Sequence, residues 1–222
     1  MKTINTPTFN GYPVQSSKGE LIENILLRNE YVLTHALSLY NRVVALRFDL
    51  KFPVTYQGDC EVISKFFDAL RFRLKMDIAS KSRARNRNLS CELNYVWVKE
   101  KNRSLNWHYH VVIFLNHDVY SCLGSINSPD ANMYNRILES WASAIGISVE
   151  AAIGLVHIPQ NARYKIDNKS PYQFTDIQVL LHRISYFAKV ATKPYSSGRK
   201  HRFYGSSSVK KKESVLSDSF WL

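Results

Sequence analysis

The sequence predicts an α+β fold of the ferredoxin-like, split βαβ kind, and three observations predict it. Helix-like and strand-like segments follow one another as helix, then β-α-β-β-α-β, then helix. The two middle strands are joined only by "KNRSLNW", short enough for an antiparallel hairpin. Amphipathic stretches separate the other strands and serve as crossovers. The expected product is an antiparallel sheet of about four to five strands with helices packed on one face, plus an N-terminal helix. Such a scaffold hosts many activities, so function must be read from the residues it carries.

Each element has its own signature. "GELIENILLRNEYVLTHALSLY" places Leu21, Ile25, Val32, Leu33, Ala36 and Leu37 near helical spacing. "NRVVALRFDLKFP" reads as a strand stopped by Pro53. In "GDCEVISKFFDALRFRLKM", Val62, Phe66, Leu70 and Leu74 form a helical stripe that runs out into the arginine-rich "SKSRARNRN". "LNYVWVKE" and "HYHVVIFLN" are the hairpin strands. "MYNRILESWASAIG" is a helix ended by Gly146, the residue that best tolerates a left-handed C-terminal conformation. "AAIGLVHIP" predicts a fourth strand, and "TDIQVLLHRISYFAKVATKP" a last helix stopped before Pro194. Residues 1–17, rich in Thr, Asn, Ser and Pro, are expected to be loosely ordered, with a single domain over 18–207 and a basic tail over 208–222.

The 222 residues carry a net charge of +12, and its location is informative. Between Arg71 and Arg87 lie seven basic residues and one acid; from Lys193 onward lie seven more against two acids. A near-neutral body with two basic arms is the footprint of a polyanion binder. Three widely spaced cysteines, the absence of an apolar leader and the lack of a span of roughly 20 apolar residues point to a cytoplasmic protein without a membrane segment. No phosphate-binding Gly-x-x-x-x-Gly-Lys-Ser/Thr loop occurs, so no nucleotide cofactor is expected.

Strand alternation sends His108 and His110 to one face, and Glu100, the last residue of the preceding strand, flanks the hairpin loop opposite His108. Two imidazoles and a carboxylate with open positions suit a divalent ion, Mg²⁺ or Mn²⁺, able to take a phosphate oxygen. On a 100° wheel the last helix puts Ile177, Leu180, Leu181, Ile184, Phe187, Ala188 and Ala191 on one side. His182, Arg183, Tyr186, Lys189 and Lys193 lie on the other. Cations beside Tyr186 would stabilise the phenolate, the form that attacks phosphorus.

These residues resemble a known pattern. His108-Tyr109-His110 resembles the His-hydrophobic-His motif of HUH endonucleases, the rolling-circle replication initiators and relaxases. Tyr186-Phe187-Ala188-Lys189 resembles their Tyr-x-x-Lys nucleophile motif, and "VVALRFDLKFP" stands where their first motif strand lies. The stretches "YVWVKEKNRSLNWHYHVVIFLN", "YNRILESWASAIG", "GLVHIP" and "ISYFAKVATKPY" resemble more closely the inovirus-type replication proteins, named after the filamentous-phage gene II product.

The resemblance implies an HUH palm with His108, His110 and Glu100 as metal ligands. Tyr186 would form a 5′-phosphotyrosyl link and free a 3′-hydroxyl to prime synthesis, with Lys189 positioning metal or phosphate. Tyr109 is bulkier than the usual aliphatic residue between the histidines, and Tyr195 is a reserve nucleophile. The implied partner is single-stranded or hairpin DNA at a replication origin, unwound by a separate host helicase. Arg71, Arg73, Arg83, Arg85 and Arg87 in one arm, Lys193, Arg199, Lys200 and Arg202 in the other, and Arg183 are the candidate backbone contacts. Tyr195, Phe203 and Tyr204 are available for base stacking. The same motifs fit a transposase or relaxase, a hydrolase in which water attacks, or a non-catalytic nucleic-acid binder on the same scaffold. His157, in an apolar strand, reads as a core histidine, and His182 as a DNA contact or a solvated residue.

Overall fold

A computed structural model describes residues 1–54, 56, 61–101, 107–126, 128–193 and 202–208. In chain order these form β1 (Thr3–Ile4), β2 (Thr8–Phe9), β3 (Tyr12–Pro13), β4 (Leu21–Ile22), α1 (Glu23–Leu39), β5 (Arg42–Lys51) and α2 (Val62–Ala84). There follow β6 (Asn94–Lys101), β7 (Trp107–Asn116), α3 (Met133–Ile145), α4 (Val149–Ala152), β8 (Val156–His157), β9 (Arg163–Asp167), α5 (Gln173–Ser185) and β10 (Tyr204–Ser206).

The main sheet runs β10-β6-β7-β5, with β8 and β9 both on the far side of β5 and every pairing antiparallel. After β5 the chain crosses over through α2 and lands two places away at β6, and β7 fills the gap. This is the split βαβ order that the element pattern predicts. The eight inner residues of β5 are all buried, as are Tyr109 to Leu115 of β7, because the sheet is covered on both sides. The crossover helices α2 and α3 share one face, packing Phe66, Phe67, Ile137 and Trp141 on Phe48, Tyr109 and Val111. Against the expectation of helices on a single face, α1 and α5 cover the other with Val32, Leu33, Leu180 and Ile184 on Ala45, Val112 and Phe114. A strand buried on both faces reads as a continuous apolar run, as "VVALRF" and "VVIFL" do.

Several segments differ from expectation. Residues 1–17 are hydrogen-bonded into the fold: β1 pairs with β4, β2 with β3, and Val14 is buried. "AAIGLVHIP" divides into the single turn α4, capped by the Ser148 hydroxyl on Ala151 N–H, and the two-residue β8. The polar strand β9 then completes the β5 edge, pairing Arg163 to Asp167 with Leu46 to Arg42. Helix α2 extends to Ala84, its last turns held by Asp77, which accepts from Arg136 at 2.5 Å, Tyr120 at 2.8 Å and Lys81 at 2.8 Å. Helix α3 is as predicted, with Asn132 capping its start and Gly146 (φ 73°) its end.

The last helix is shorter than its periodicity suggests. It stops at Ser185, followed by a 3₁₀ turn over Tyr186–Ala188 and an extended Lys189 (φ −56°, ψ 126°). The end of a helix leaves carbonyls that need donors. Here Gln15 Nε2 donates to His182 O at 2.9 Å, and Asn29 Nδ2 to Ile184 O at 3.1 Å. Gln15 N–H also donates to the Ser185 hydroxyl at 2.9 Å, so the N-terminal segment and α1 fix where the helix ends.

Candidate active site

Strand register assembles two cross-strand rows at one end of the sheet. Glu100 of β6 lies opposite His108 of β7, which lies opposite Lys51 of β5. Two residues along, His110 lies opposite Asp49, which lies opposite His157 of β8. The hairpin therefore brings Glu100 to the histidine pair, as the sequence predicts. Neighbours across a ladder sit about 5 Å apart at Cβ, within reach of a shared ion.

One potential ligand atom from each of Glu100, His108 and His110 lies within 4.8 Å of the others. His108 Nε2 and His110 Nε2 are 3.2 Å apart. Glu100 Oε2 lies 3.3 Å from His110 Nε2, fully buried and without a hydrogen bond. That oxygen and the two Nε2 atoms converge on one point, where either a proton on His110 or a cation satisfies them. On that ground the donor set fits a divalent metal ion.

Asp49, which sequence reasoning passed over, orients the pair. Its Oδ1 accepts from His110 Nδ1–H at 2.6 Å, leaving Nε2 to face Glu100 and His108. Arg47 Nη2 donates to the same oxygen at 3.4 Å, and His157 Nδ1 lies 3.2 Å from Oδ2. Burial pushes Asp49 up, but the hydrogen bond and charge of His110, then Arg47 and His157, outweigh it and hold the carboxyl at about 2. Glu100 behaves alike: burial opposes ionisation, and the proximity of His110 with the Lys193 ammonium brings it to about 2. Burial lowers His110, yet Asp49 and Glu100 together raise it. His108 is lowered by burial and by His110, which favours the neutral, ligating imidazole. His157 is exposed rather than a core residue.

Tyr186 and Phe187, in the 3₁₀ turn after α5, both reach His110. The Tyr186 ring stands edge-on at 5.8 Å between centroids, and Phe187 stacks at 5.9 Å with 14° between planes. The wheel had Tyr186 on a cationic face away from the core; instead it is half-buried and packs against the α1/α5 side of the sheet. Burial and the nearby Glu100 raise the phenol, with Arg47 opposing, so the expected lowering by neighbouring cations does not hold in the metal-free site. Because Lys189 is extended, it does not share a helical face with Tyr186, although its Nζ lies 5.8 Å from the Tyr186 ring.

The candidate DNA contacts are dispersed. Lys193 is not a surface cation: its side chain is buried and its ammonium donates to Glu100 Oε1. Arg183 donates to Gln160 O at 3.1 Å, while His182 is exposed. Arg71 pairs with Asp68 at 2.7 Å and Arg73 with Glu139 at 3.0 Å. Arg83, Arg85 and Arg87 are exposed at the end of α2, on the sheet face away from the histidines. That helix end lies beside Tyr120, just past the Asn116 end of β7, eight residues and therefore about 27 Å along the strand from His108. Arg202 is exposed, its guanidinium 5.8 Å from the Trp97 ring. Phe203 and Tyr204 are partly buried against the α1/α5 face. Arg199, Lys200 and Tyr195 lie outside the described residues. Among the described residues no helix is long and apolar enough to cross a membrane.

The chain is 33% identical to YagK, an uncharacterized protein of Escherichia coli K12, over 188 residues covering 80% of this chain and 89% of YagK. It is 28% identical to YfjJ, an uncharacterized protein of the same organism, over 183 residues covering 77% of this chain and 88% of YfjJ. A solved N-terminal nuclease domain of the minute virus of mice non-structural protein overlaps 83% of this chain and 78% of its own, with 11% identity. Its TM-score of 0.21 is too low to relate the two folds. The family match covers residues 4–207, from β1 through β10, and so takes in the histidine pair, Glu100, Tyr186 and the N-terminal segment that caps α5: the chain belongs to the YagK/YfjJ C-terminal domain family.

Proposed function

We propose that this protein nicks and rejoins single-stranded DNA with Tyr186 as nucleophile, assisted by a divalent metal, Mg²⁺ or Mn²⁺, at Glu100, His108 and His110. The observation that carries the reading is the meeting of Tyr186 with His110, whose Nε2 lies 3.3 Å from a buried Glu100 oxygen. The Tyr186 hydroxyl oxygen forms a bond to a backbone phosphorus as the bond to the 3′-oxygen breaks. The phenolic proton passes to solvent, the 3′-oxygen takes up a proton from solvent, and the 5′-phosphate stays on the tyrosine. When bound, the metal supplies positive charge that polarises the scissile phosphate. Asp49 keeps His110 in one tautomer, Phe187 fixes its ring plane, and Lys189 places a cation beside the phenol.

The freed 3′-hydroxyl is a primer, which suits initiation of rolling-circle replication of a phage or an integrated mobile element. Origin DNA, single-stranded or hairpin, is then the substrate, and a separate helicase unwinds it. Incubation with single-stranded DNA from its own element and Mn²⁺ should give a covalent adduct that maps to Tyr186. The Tyr186→Phe variant should still bind that DNA and form none; an adduct from this variant overturns the assignment.

A further inference from the structure

Lys193 reaches the site because the chain leaves helical geometry at Ser185. Past the extended Lys189, Val190 N–H donates to Glu20 O and Lys193 N–H to Val190 O, each at 3.0 Å, which turns the segment back toward β6. The Lys193 ammonium then meets Glu100 Oε1, with neither side chain exposed to solvent. Glu100 is thus divided: one oxygen holds an ammonium, and the other, without a hydrogen bond, lies 3.3 Å from His110 Nε2. A buried carboxylate without a compensating charge is costly, so some cation must accompany Glu100 whenever the protein is folded.

We propose that Lys193 is a resident counter-ion for Glu100, which keeps the metal-free site folded and weakens its hold on metal. The inference rests on Glu100, His108 and His110 being metal ligands. Two effects act in the same direction. Lys193 stabilises the metal-free state by compensating Glu100, and its charge repels a second cation sharing that carboxylate. Removing it therefore leaves a metal to compete only with the neighbouring His110 for that carboxylate.

The test titrates the full chain, stripped of metal, with Mn²⁺ by calorimetry. Lys193→Met should bind Mn²⁺ at least tenfold more tightly than the unaltered protein. Its melting temperature without metal should be lower, and its rise in saturating Mn²⁺ larger. Lys193→Arg, which keeps the charge, should restore both quantities. Equal or weaker binding by Lys193→Met overturns the counter-ion role, since a residue that merely braced Glu100 would lower affinity when removed. If Lys193→Met is unfolded without metal, circular dichroism gives the answer: refolding on adding Mn²⁺ supports the proposal, and a chain that stays unfolded overturns it. Failure of the unaltered protein to bind Mn²⁺ removes the metal site itself, a result separate from failure of the Lys193 role.

Discussion

Asn29 Nδ2 donates to the carbonyl oxygen of Ile184 at 3.1 Å, joining α1 to the end of α5 two residues before Tyr186. Asn29 is buried, so its removal takes one of two donors from that carbonyl, the other being Tyr186 N–H, and loosens the end of α5. Asn29→Ala should cost about 1 kcal/mol in stability, measured by denaturant unfolding. It should also slow adduct formation through Tyr186 while leaving Mn²⁺ affinity unchanged, because Glu100, His108 and His110 sit on β6 and β7.

Asp49 is the second point of control. Asp49→Asn keeps the shape but removes the charge that orients His110, and the expected loss in Mn²⁺ affinity is about 10–100-fold by calorimetry. The same substitution has a pH signature. Asp49 and Glu100 are both held at about 2, below their ordinary values of about 4. Their contribution to stability is complete above those ordinary values and drains away as pH falls toward 2. Asp49→Asn should flatten this acid limb of the metal-free stability profile, and an unchanged limb would contradict the assignment.

Asp77 accepts from Arg136, Tyr120 and Lys81, three donors from α3, the segment after β7 and its own helix. Burial raises this carboxyl, but Lys81, Tyr120 and Arg136 together bring it below its usual range. Asp77→Asn should destabilise the fold by about 2–3 kcal/mol, read as a lowered denaturation midpoint. Metal binding, on the other sheet face, should be unaffected.

The exposed arginines at the end of α2 make a prediction about substrate length. If the DNA reaches them, replacing Arg83, Arg85 and Arg87 with Ala should weaken binding of a long hairpin. The salt dependence of that binding should become shallower by roughly 0.9 per arginine removed, on a log–log plot. Adduct yield on a short oligonucleotide confined to the nick should not change, because the cluster is about 27 Å along the sheet from His108.

Two cysteines should react differently with an alkylating agent at pH 8. Burial pushes the Cys91 thiol up to about 12, partly offset by the backbone N–H of Asn116 at 3.2 Å, whereas Cys122 is exposed. Peptide mapping should find Cys122 modified and Cys91 protected until the protein unfolds.

Much of this site is legible in the sequence where geometry is local. Glu100 faces His108 because a hairpin sets its own register, and the histidines share a face because strands alternate. Tyr186 is legible as a residue but not in its setting. Its helix is ended by Gln15 and Asn29, more than 150 positions away, so a wheel drawn through Lys193 continues a helix that has already stopped. Lys193 was read as a surface cation for the same reason. Asp49 was missed because one acid between Arg47 and Lys51 looks like ordinary strand polarity; its meaning depends on lying between His110 and His157. The polar "RYKID" gives little strand signal, since an edge pairing with β5 needs backbone rather than apolar side chains. The opening segment looks loose by composition, yet Gln15 and Val14 are tied to α5 and the core.

The order of these residues along the chain has a consequence for synthesis. Asp49, Glu100, His108 and His110 emerge from the ribosome well before Tyr186, and Lys193 comes last. Until that final stretch is made, Glu100 lacks its ammonium partner Lys193. A growing or prematurely released chain therefore holds Glu100, His108 and His110 but not Tyr186. Tyr186 is added to the chain only after Asp49, Glu100 and both histidines have been made.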